Sequence, residues 1–73
     1  MIHSFRSKET RAIWEGYFAK GLPNEIQQVA RLKLRMLNAA RRQEDLRGME
    51  LGDRWRIRFN WTGKGAKDVE IAR

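Results

Sequence analysis

From Arg54 to Trp61 apolar and polar residues alternate without a break, the two-residue period of a strand buried on one face. No helix has that period. Residues 54–60 are therefore expected to form a strand that turns Trp55, Ile57, Phe59 and Trp61 inward and Arg54, Arg56, Arg58 and Asn60 outward. Thr62-Gly63-Lys64-Gly65-Ala66 reads as a hairpin loop, and Lys67 to Ala72 as a closing strand with Val69 and Ile71 facing inward. Alternation also marks Met49-Glu50-Leu51, ahead of a Gly52-Asp53 turn, and, more briefly, Ile2 to Phe5.

Between these segments the period changes to that of helices. Ser7 is placed as an N-cap, and Ile13, Trp14, Tyr17 and Phe18 fall at helical spacing from Lys8 to about Lys20, with Gly16 inside the pattern and Gly21 as the C-cap. After the connector Leu22-Pro23-Asn24, good helix formers run from Asn24 or Glu25 to about Arg42. Ile26, Val29, Ala30, Leu34, Leu37 and Ala40 form one broad apolar face there, and Gln28, Arg31, Arg35, Asn38 and Arg42 line up on another. That second stripe is either the solvated back of an amphipathic helix or a phosphate-binding ridge in which Arg31 and Arg35 repel until an anion relieves them. Gln43 to Gly48 is a polar connector. The order β-α-α-β-β-β predicts an α+β domain, its two N-terminal helices packed on one face of an antiparallel sheet. The expected core is Ile13, Trp14, Phe18, Ile26, Val29, Leu34, Leu37, Leu51, Trp55, Ile57, Phe59, Val69 and Ile71.

Seventy-three residues without a long polar spacer or a repeat make a single domain, 1–73, whose small core leaves stability marginal without a partner. Sixteen Lys and Arg against nine Asp and Glu give a formal charge of +7. Such a surplus attracts nucleic acid, acidic proteins or anionic membranes, and arginine favours bidentate phosphate contacts. The chain has no cysteine and a single histidine, which excludes a disulfide framework and argues against a zinc site. Neither an apolar leader nor a membrane span is visible, so a cytoplasmic location is expected, with no membrane partner.

The chemistry-bearing feature is the comb of arginines on the 54–60 strand. At ~3.3 Å per residue its teeth are about 6.6 Å apart, close to the repeat of an extended nucleic-acid backbone. The plain alternative is that an open sheet face simply needs polar residues. Against that, adjacent arginines repel, and Glu50, Asp53, Asp68 and Glu70 are the acids near enough to compensate them in part. There is no Ser-His-Asp set, no carboxylate cluster suited to a metal and no phosphate-cradling glycine loop. An arginine face still suits cleavage of RNA by its own 2′-hydroxyl, in which cations stabilise charge developing on phosphorus.

Several motifs together resemble the HigB toxins, the plasmid-maintenance killer branch of the RelE superfamily. They are Met1-Ile2-x-Ser4-Phe5, Leu34-x-x-Leu37-x-x-Ala40, Asp45-Leu46-Arg47, Asp53-x-Trp55-Arg56-Ile57-x-Phe59-x-Trp61 and Asp68-Val69-Glu70-Ile71. The resemblance spans nearly the whole chain. It implies a RelE-like microbial RNase fold, a toxin of a type II toxin-antitoxin system, and metal-independent cutting of mRNA in the ribosomal A site without a cofactor. The implied partners are the ribosome with its mRNA and a cognate antitoxin, a helix-turn-helix HigA-like protein; operator DNA is reached only through the toxin-antitoxin complex. Arg56 matches the family arginine at the scissile phosphate; Arg54 and Arg58 join it as RNA-binding residues from the comb, Arg35 and Arg31 from the helix ridge.

The chain departs from the family between Arg47 and Met49, where a longer basic segment with a further strand is usual and only Gly48 stands here, and after Arg73, where a terminal Asp-Tyr-His is usual. Part of the central sheet region is thus missing from the pattern. Either a normal toxin has further basic segments outside these residues, which is the expectation, or this is a shortened, inactive toxin. The second possibility leaves a non-catalytic nucleic-acid-binding or antitoxin-binding module as the alternative function. A gyrase-directed toxin of the ParE group is a third, disfavoured by the N-terminal and Trp-Arg-Ile motifs.

Overall fold

The computed structural model describes residues 1–46 and 49–73. Arg47 and Gly48, the end of the polar connector and of the Asp45-Leu46-Arg47 motif, lie outside the described residues, although the sequence itself runs directly from one to the other. The elements are α1 (Lys8–Trp14), α2 (Asn24–Ala39), β1 (Arg56–Trp61) and β2 (Ala66–Ala72), with a 3-10 turn at Gln43–Asp45. This is the expected α+β arrangement of two helices and then an antiparallel sheet.

Ser7 caps α1 as anticipated, extended at φ −125° and ψ 147°, its hydroxyl accepting from the Thr10 N–H at 3.2 Å. The helix then stops at Trp14 instead of near Lys20. Gly16 takes φ 95°, its N–H donates to Ile13 O, and the Tyr17 N–H reaches back to Ala12 O at 2.8 Å. This is the left-handed glycine closure that ends helices, so Gly16 and not Gly21 terminates α1. Tyr17 and Phe18 consequently project to solvent, 67% and 66% exposed, and Phe18 is no core residue.

The connector after α1 is held by a residue that hydrophobic periodicity overlooks. Gln27 is 3% exposed; its Oε1 accepts from the Ala19 N–H at 2.9 Å, and its Nε2 donates to Ala19 O at 2.7 Å and Leu22 O at 2.8 Å. The helix α2 ends at Ala39, short of Arg42, because Ala40 turns extended. Arg42 instead opens the 3-10 turn, its backbone N–H and its guanidinium both facing Asp45.

Strands β1 and β2 pair antiparallel, Arg56 opposite Ala72 and Trp61 opposite Ala66, with a bulge on β2 between the Arg58–Glu70 and Asn60–Lys67 pairs. Asp68 sits in the bulge at φ 54°, a left-handed conformation that Asp tolerates better than most residues. On the outer edge of β1, Glu50 bridges to Arg56, and the Leu51 N–H donates to Trp55 O. On the outer edge of β2, Ile2 and Phe5 pair in parallel through His3 N–H to Ala66 O, Ala66 N–H to Met1 O and Arg6 N–H to Val69 O. A parallel neighbour requires a long crossover, which α1 and α2 provide. Beyond it, Thr10, fully buried, accepts from the Ile71 N–H at 2.9 Å and so covers the rest of that edge.

The core lies between Ile13, Ala30, Leu34 and Leu37 of the helices and Leu51, Ile57, Ala66 and Val69 of the sheet side. Trp14, Ile26, Trp55, Phe59 and Ile71 pack around it half-buried, whereas Val29, expected inside, is 41% exposed. Gly65 is a tight point. A Cβ there would strike the Met1 carbonyl oxygen and lie 2.7 Å from His3 Nε2. Gly65→Ala is expected to displace the N-terminal segment and cost about 1–3 kcal/mol, read as a lower urea midpoint; an unchanged midpoint would contradict this packing.

Candidate nucleic-acid interface

Alternation along β1 puts Ile57 into the core and leaves Arg56, Arg58 and Asn60 on the open face. The comb is shorter than expected. Its strand begins at Arg56, because Leu51 pairs with Trp55 across a bend in which Gly52 has φ 101°. Arg54 falls in that bend and lines a separate hollow of about 390 Å³ with Ile26, Trp55 and Arg73, the Arg73 guanidinium lying 5.0 Å from the Trp55 ring centre. It is not a tooth of the comb.

The open face gains a residue from elsewhere. Parallel pairing of the N-terminal segment carries Arg6 alongside β2, where Arg6 and Arg58 approach the same Glu70 oxygen at 3.9 and 4.0 Å. Both guanidiniums are largely exposed, so each contact alone is worth little. Glu70, 21% exposed, stands between them and lines a small hollow of about 80 Å³ with Phe59, Asn60 and Asp68. Asn60 Nδ2 donates to Asp68 Oδ2 at 3.3 Å. Arg56 stands two residue pairs along the ladder from Arg58–Glu70, exposed, with Ala72 on one side and Glu50 on the other, and has no ion pair among the described residues. The face therefore opposes Arg6, Arg56, Arg58 and Lys67 to Glu50, Asp68 and Glu70, a near balance rather than an unrelieved cationic sheet.

The helix ridge does not join this surface. Arg31 is half-buried, its Nε donating to Ile13 O at 3.3 Å, and so ties α2 to the end of α1. Asn38 accepts from the Ile2 N–H at 2.9 Å. Arg35 is exposed on the helix layer, behind the sheet. Of the five arginines singled out from the sequence, the structure brings Arg56 and Arg58 together and sets Arg54, Arg31 and Arg35 apart. Arg6 was missed. Its only sequence signal is its position just after the Ile2 to Phe5 alternation, which points to the open face once the parallel pairing is known.

Among the described residues, no group of three or more His, Asp and Glu is placed to hold a metal ion, and no helix is long and apolar enough to cross a membrane. No family model matches the chain, and no curated protein does.

Proposed function

We propose that this protein is a HigB-type toxin, a cytoplasmic, ribosome-dependent mRNA endonuclease restrained by a cognate antitoxin. The observation that carries the reading is Arg56, an exposed guanidinium without an ion pair among the described residues, on the same sheet face as the Glu70 carboxylate that two further arginines approach. It is also the residue at which the Trp55-Arg56-Ile57 resemblance converges.

In this reading Arg56 binds the scissile phosphate and stabilises the charge that grows on it, a role for which arginine's fork geometry is suited. Arg58 and Arg6 hold the flanking backbone. Glu70 accepts the proton of the 2′-hydroxyl as its oxygen attacks phosphorus; the P–O5′ bond breaks, the 5′ oxygen takes a proton from solvent, and a 2′,3′-cyclic phosphate remains. The reaction requires no cofactor. The antitoxin is expected to be a helix-turn-helix protein that contacts operator DNA on behalf of the complex.

A second reading is favoured by the near charge balance of the open face and the direct Arg47–Gly48 connection in place of the family's basic segment. There the chain binds its antitoxin, or RNA, without cutting. Incubation of purified protein with programmed ribosomes, followed by primer extension on the message, separates the two: new 5′ ends within the A-site codon support the nuclease, and intact message with retained antitoxin binding supports the module.

A further inference from the structure

The outward side of α2 is apolar where an exposed helix back is ordinarily charged. Val29, Leu32 and Met36 are 41%, 58% and 44% exposed, and their spacing of three and four residues sets them in one column, away from the buried Ala30, Leu34 and Leu37. The column is about 10 Å long at 1.5 Å per residue. Gln28 and Arg35 border it on one flank and Lys33 on the other. From Glu25 to Gln43 the sequence holds Arg31, Lys33, Arg35, Arg41 and Arg42 against a single acid, Glu25, which stands one turn before Val29 in line with the column.

We infer that this column is a docking surface for an acidic amphipathic helix of another protein. A straight apolar ridge at helical spacing complements the ridges of a second helix. The flanking cations select a partner with Asp and Glu beside its own apolar stripe. Isolated surface apolar residues need no explanation, but three aligned between Arg35 and Lys33 form a patch. The inference is independent of RNA cleavage, since the column lies on the helix layer and Arg56 on the open face of the sheet.

The probe is a fluorescein-labelled heptad peptide with Leu at a and d and Glu at e and g, read by anisotropy against the full chain. Saturable binding is expected, weakened about tenfold or more by Leu32→Ser, which leaves the charge unchanged. Arg35→Glu should weaken it as well, and because both positions are exposed the thermal melts should match wild type. Equal binding of a peptide with the same composition in scrambled order would overturn the inference, as would undiminished binding by both variants. A wild-type dimer in light scattering that Leu32→Ser dissociates would assign the column to self-association instead. Leu32-dependent binding to phosphatidylserine vesicles without peptide binding would assign it to a membrane surface.

Discussion

Gln27→Leu is expected to remove about 3 kcal/mol of stability, although the substitution adds apolar character to a buried position. Three hydrogen bonds are lost, to Ala19 N–H, Ala19 O and Leu22 O, and each group left buried without a partner costs about 1–3 kcal/mol. Leucine fills nearly the same volume, so the cavity contribution is minor and the polar loss decides. The low end of the range applies because Lys20 and Gly21 are exposed and let water reach part of the freed backbone. A domain this small has on the order of 5 kcal/mol to lose, so more than half of its stability rests on this one amide. The expected signature is a melting temperature lower by about 12 °C or more, at 4–8 °C per kcal/mol for this chain length. A shift of only a few degrees would mean that Ala19 and Leu22 are held by packing and not by Gln27.

The same residue shows where sequence periodicity stops being informative. Alternation along 54–61 is a local property of the chain, and it placed Ile57 inside and Arg56 and Arg58 outside correctly. Where that strand begins is not local: the Leu51–Trp55 pairing and the left-handed Gly52 exclude Arg54. Beyond α1, Tyr17 and Phe18 continue the apolar spacing, yet the turn at Gly16, whose N–H and that of Tyr17 donate to Ile13 O and Ala12 O, outweighs them. In α2 the apolar residues occupy two sides. Periodicity alone does not choose which side meets the sheet, and Val29, expected in the core, lies on the surface. Arg6 was invisible for a different reason. Its place beside Glu70 depends on a parallel pairing between the first and last segments of the chain, a contact no short window contains.

For the open face, Arg56→Ala is expected to lower A-site cleavage by about 10²–10³-fold, the usual consequence of removing one donor aimed at developing charge. Arg56 is exposed and without an ion pair among the described residues, so stability should stay within about 0.5 kcal/mol of wild type, and antitoxin binding should persist. Arg54→Ala, in its separate hollow, should leave cleavage nearly unchanged; a loss equal to that of Arg56→Ala would restore the longer comb. Glu70→Gln is the sharper companion, because its two possible roles push in opposite directions. If Glu70 only offsets Arg6 and Arg58, removing its charge makes the face more cationic, and RNA binding and cleavage both rise. If it accepts the 2′-hydroxyl proton, binding tightens while single-turnover cleavage falls steeply. Measured together on programmed ribosomes, a fall with both Arg56→Ala and Glu70→Gln places phosphate and proton chemistry on one face. Wild-type cutting by both variants would remove the reaction from this surface altogether.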